Sequence, residues 1–126
     1  MTTTENSVTG LIALADKILS GEVAVPGSRA PRAAAVVARQ ALEEVITLKC
    51  SQLANFARRP HMRSQLILLR HEDFNLGQKA QVAWDGLSQA CHHHAYELQP
   101  TAVEVRSLLR LVRAVADDVD PSLVVR

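Results

Sequence analysis

The sequence predicts an all-α domain, an up-and-down bundle of four core helices preceded by a short N-terminal helix. Three observations carry that expectation. Apolar residues recur at helical spacing in five stretches, and the one apolar run short enough to be a buried strand has no partner strand elsewhere. Aromatic residues are only 3 % of a chain that is 48 % hydrophobic, so the core is to be built from Leu, Val, Ile and Ala, which suits close-packed helices. Proline, glycine and polar clusters separate the stretches cleanly. At 126 residues the chain is one domain long, and its 21 % charged residues are near the globular average.

Residues 1–6 read as a polar, disordered tail, residues 7–120 as the helical domain and residues 121–126 as a flexible tail. Ser7 or Thr9 can cap the short leading helix, whose apolar positions are Leu11, Ile12, Leu14, Ala15, Ile18 and Leu19. Gly21 is placed to end it, and residues 22–30 read as a loop. Pro31 suits the first turn of a long second helix, because its missing N–H costs nothing there. That helix is expected from Pro31 to Phe56, with Val37, Ala41, Val45, Leu48 and Leu53 facing inward. Pro60 bars the residue before it from helical geometry.

A third, short helix is expected from Met62 to Arg70 around the run Leu66-Ile67-Leu68-Leu69. Residues 71–77 then read as a loop. A fourth helix follows from Gln78 to His93, placing Ala80, Ala83, Trp84, Leu87 and Cys91 on one face. The fifth has the clearest start. Thr101-Ala102-Val103-Glu104 is a capping box, in which the threonine hydroxyl and the glutamate each take a free backbone N–H. Val105, Leu108, Leu109, Val112 and Val115 form its apolar stripe.

Several function classes are excluded or disfavoured. No run of about 18 apolar residues exists to span a membrane, and the opening Met1–Asn6 lacks a signal peptide's basic start and apolar run. Cys50 and Cys91 lie far apart in apolar surroundings, as reduced core cysteines do. A cytoplasmic location is expected. The net charge of +1 gives no global attraction to nucleic acid, so any such contact needs a local patch. No phosphate-binding glycine loop, nucleophile elbow or His-Glu-x-x-His helix is present, and His61 has no evident partner.

Cys91-His92-His93-His94 sets four potential metal ligands in a row, but helical neighbours point about 100° apart. Only Cys91 and His94 share a face, with His71 or Glu97 as possible third ligands. Zinc sites need four ligands at workable spacing. No metal and no cofactor is therefore expected, and the histidines are read as capping a helix C-terminus, where imidazolium is favoured. The arginines form two groups. Arg106, Arg110 and Arg113 share one helical face, while Arg58, Arg59, Arg63, Arg70 and Lys79 sit in a stretch opposed only by Glu72 and Asp73. Either group can meet phosphates or an acidic partner. The plainer alternative is a solvated face with local ion pairs.

The long helix carrying Ala38-Arg39-Gln40-Ala41-Leu42-Glu43-Glu44-Val45-Ile46 resembles the opening core helix of HEPN domains. The stretch Leu87–His94, followed by Tyr96-Glu97-Leu98-Gln99-Pro100-Thr101, resembles the polar, His-bearing turn that precedes that family's last helix. The likeness covers roughly residues 31–118. It implies a helical bundle, commonly a two-fold dimer, that is either a metal-independent ribonuclease or a non-catalytic interaction or nucleic-acid-binding module. Active members carry an Arg, four to six residues, then a His. Here the positions counted back from His94 and His93 are Gln89, Ser88, Leu87 and Gly86, and none is Arg.

A ribonuclease of this kind needs a cation to stabilise charge on phosphate. The resemblance therefore points to a degenerate, dimeric module binding RNA or a protein, with Arg106, Arg110, Arg113, Arg58 and Arg59 as contacts. The alternative is an endoribonuclease using His94 or His93, with Arg63 or Arg106 brought in by the fold. A structural subunit without ligand is the third reading.

Overall fold

The computed structural model describes residues 3–26, 29–92 and 98–124, with the backbone alone for residues 3–6. Over these residues the chain forms α1 (Thr3–Ser20), α2 (Ala30–Leu53), α3 (Met62–Glu72), α4 (Phe74–Cys91) and α5 (Ala102–Val119), then a 3-10 turn at Pro121–Leu123. There is no strand among them, and the all-α bundle is the observed fold.

α2 organises the bundle because its apolar residues cover more than one stripe. Ala34, Ala35, Ala38, Ala41, Leu42, Val45, Ile46 and Cys50 are all buried, and α2 packs against each of the other four helices. Small alanines let neighbours approach closely on several sides, while Leu42, Val45 and Ile46 fill the space between them. The core is aliphatic throughout, and no aromatic residue belongs to it among the described residues.

Pairwise contacts set the helix directions. Lys79 Nζ meets Asp118 Oδ2 at 2.6 Å, so the start of α4 lies beside the end of α5. Arg106 donates to the Leu19 carbonyl, Arg113 pairs with Asp16, and Thr9 Oγ1 donates to the Leu123 carbonyl. α5 therefore runs antiparallel to α1. Arg39 lies over the Trp84 ring, and Arg32, in the first turn of α2, lines one groove with Gln89 and Ala90 at the end of α4. α2 and α4 are thus antiparallel too. The result is an up-down-up-down arrangement of α1, α2, α4 and α5, in which α2 touches α5 and α1 does not reach α4.

Several expectations need correction. The accessory short helix is α3, not the leading one: α1 has 18 residues and forms with α2 the most extensively packed pair in the molecule. Residues 3–6, read as tail, continue α1. The loop expected at residues 71–77 shrinks to Asp73 alone. That residue's N–H caps the Leu69 carbonyl at 2.8 Å, while its side chain accepts from Leu76 N–H and starts α4. A corner this tight brings helix backbones together. A Cβ on Gly77 would lie 2.5 Å from Arg70 Cα.

The tail expected at residues 121–126 is in part structured. Asp120 caps the 3-10 turn through Ser122 N–H, and Leu123 is fully buried. α2 also ends at Leu53 rather than Phe56, because Ala54 is already extended and the following loop returns toward Thr47. Gly21 ends α1 as expected, at φ 85°, a left-handed geometry that glycine adopts without strain. Thr101 accepts from Glu104 N–H at 3.1 Å, the first half of the capping box. Gly27 and Ser28, expected in the α1–α2 loop, lie outside the described residues.

Candidate binding grooves

Antiparallel packing of α2 on α4 places the start of α2 beside the end of α4, and α5 begins at the same end of the bundle. The three termini enclose an open groove of about 760 Å³. Arg32 reaches it from α2, Gln89 and His92 from the last turn and cap of α4, and Gln99, Glu104 and Ser107 from the approach to α5 and its first turns. Leu98 and Val103, 96 % and 72 % exposed, add apolar surface to the same wall.

His92 closes α4 as its C-cap, with its N–H on the Gln89 carbonyl at 3.2 Å. α4 thus ends at the first histidine of the run, through the backbone of His92. His93 and His94 lie outside the described residues, as do Tyr96 and Glu97. Gln89 lines the groove, and Arg32 enters the same groove from α2. The sequence reading missed Arg32. Its signal was available: Arg32 and Arg39 are seven apart, two turns along one face of α2, and that face meets α4.

Cys91 is half-buried beneath these arginines. Burial pushes its thiol above the ordinary range, and Arg39 and Arg32 only partly offset that. The net effect favours the protonated thiol over the thiolate. A neighbourhood holding two guanidinium groups also repels a metal cation. No three metal-ligating side chains come together among the described residues; His71 sits at the far end of α3, away from Cys91.

Arg63 does not line the groove that holds His92. It lines a second groove of about 620 Å³ between α3 and α4, with Ile67, Arg70, Gln81, Trp84 and Asp85. His92 is seven residues beyond Asp85, about 10 Å along the helix. Arg59 is occupied structurally: its Nε and Nη2 both donate to Thr47 Oγ1, at 3.1 and 2.7 Å. Arg58 is exposed beside it. On α5, Arg106 is held by the Leu19 carbonyl at 3.1 Å and Arg113 by Asp16 at 3.4 Å. Among the described residues Arg110 reaches only Ser107 on its own helix, and it is exposed. The three α5 arginines do share one face, but two of them tie α5 to α1.

No helix of the described residues is long and apolar enough to cross a membrane. Compared with family models, with curated proteins and with solved structures, the chain matches none of them.

Proposed function

We propose that this chain is a HEPN-like interaction module, working as a homodimer, that binds RNA in the groove at the junction of α2, α4 and α5. The observation that carries the reading is the convergence of Arg32, Gln89, His92, Gln99 and Ser107 on one open groove. These groups supply a fixed cation, amide donors and a hydroxyl, which suit phosphate oxygens and ribose hydroxyls. Exposed Leu98 and Val103 offer apolar surface for a base. Glu104 on the same wall can accept from a base amino group.

The test is titration of a fluorescein-labelled single-stranded RNA with the full chain at several salt concentrations. Arg32→Ala should weaken binding and lower the salt slope by about one unit, since one phosphate contact is lost. Replacing Arg106, Arg110 and Arg113 together should weaken binding less per arginine, because two of them serve α1. Salt-insensitive or absent binding would leave a protein partner as the better explanation. A monomer by sedimentation at tens of micromolar, on the order of ordinary assay concentrations, would count against the dimer.

A second reading has one specific observation in its favour. Arg32 lines the same groove as His92, the one described histidine of the 92–94 run. General acid–base help alone supplies about 10²–10⁴-fold, and a cation on the phosphate adds to it. Under this reading purified protein cleaves RNA without added metal, and both Arg32→Ala and His94→Ala abolish cleavage with the melting temperature unchanged.

A further inference from the structure

We infer that the groove between α3 and α4 docks an acidic amphipathic helix of a partner protein. Arg63, Ile67 and Arg70 follow one another at helical spacing and line one wall. Ile67 is 58 % exposed, an aliphatic side chain offered to solvent between two cations. The opposite wall is Trp84, half-buried, with Arg39 stacked 4.3 Å from its ring centroid. Neither the Arg63 nor the Arg70 side chain forms a hydrogen bond or ion pair among the described residues. The single carboxylate in the groove, Asp85, already accepts from Gln81 Nε2 at 2.9 Å.

Charge selects the occupant. The charged side chains lining the groove are two arginines, Arg63 and Arg70, against Asp85 alone. A second copy of this chain would bring the same cations to the same place, and like charges oppose that pairing. The aliphatic Ile67, and a Trp84 ring already covered on one face by Arg39, suit an apolar side chain better than a stacked base. Arg63 and Arg70 are seven residues apart, about 10 Å along α3. A partner helix with carboxylates at the same spacing, and a leucine or isoleucine between them, satisfies both arginines while its apolar residue meets Ile67 and Trp84. The inference is independent of RNA binding at the other groove.

Trp84 is the only tryptophan of the chain, so its emission reports occupancy directly. The experiment titrates the full chain with an 18-residue designed helix, free of Trp and Tyr, bearing leucines flanked by glutamates seven apart. Saturable binding with a shift of Trp84 emission is expected. Arg63→Glu, Arg70→Glu and Ile67→Lys should each weaken it about tenfold, with helical signal and melting temperature unchanged because all three side chains are exposed. A peptide with glutamine for glutamate should bind as weakly as the variants do to the parent, and RNA affinity should stay the same in all three variants. An unmoved Trp84 emission, equal binding of the glutamine peptide, or full affinity in the variants would overturn the inference. So would single-stranded RNA shifting Trp84 emission and losing that shift in the same variants, or dissociation of a dimer by them.

Discussion

Gln65 is 2 % exposed, the one polar side chain among the buried residues described, and both ends of its amide are used. Its Oε1 accepts from Thr47 Oγ1 and its Nε2 donates to the Pro60 carbonyl, each at 2.9 Å. Its own carbonyl accepts from Cys50 Sγ. The Arg59–Thr47–Gln65 chain thereby closes the loop that returns α2 to α3. Gln65→Leu would leave the Pro60 carbonyl without its donor, and should cost about 1–3 kcal/mol, read as a lowered melting temperature. Unchanged stability would show that solvent replaces the amide.

Cys50 adds a pH dependence. Burial raises its thiol pKa, so the folded chain stays protonated while the unfolded chain ionises near its ordinary range. The stability is then fully present below about pH 8.5 and falls as pH rises above it. Cys91 acts in the same direction. Cys50→Ala should flatten the alkaline fall in melting temperature, and an identical slope in the variant would remove Cys50 as its cause. Neither role was legible beforehand. Arg59 read as a phosphate contact because spacing alone does not reveal that a loop arginine folds back onto Thr47.

At the scale of elements, the α3–α4 corner is where local patterning and structure part most sharply. The polar stretch His71–Gly77 looks like a loop because its residues are exposed, yet exposure on the outside of a tight corner gives the same composition. Asp73 was the available signal: an N-cap residue with an apolar residue, Leu76, three positions later. Gly77 is the packing requirement. Alanine normally favours a helix over glycine by about 1 kcal/mol, but here its Cβ would press on the Arg70 backbone. Gly77→Ala should therefore destabilise, by about 1–3 kcal/mol as overpacking does. A raised melting temperature would mean that α3 simply moves aside. By contrast the start of α5 and the end of α1 were both legible, because Thr101 and Gly21 act through their own backbone neighbours.

For the whole molecule, α1 and the turn that follows α5 are joined through Leu123, which is fully buried and whose carbonyl accepts from Thr9 Oγ1. Leu123→Ala should cost about 2–5 kcal/mol, the range for a core leucine, in an equilibrium unfolding measurement. A silent substitution would restore the flexible tail. The fold class, an aliphatic core and the existence of every helix followed from the sequence by itself. Those features depend on periodicity, composition and capping, which act between residues a few positions apart. Which helix is the accessory one, which arginines are engaged, and which cation shares a groove with His92 were decided only by the tertiary structure. Each of these depends on which faces meet after the chain reverses direction. Arg32 and His92 are far apart in sequence and line one groove because α2 and α4 run antiparallel, a relation that no local pattern encodes.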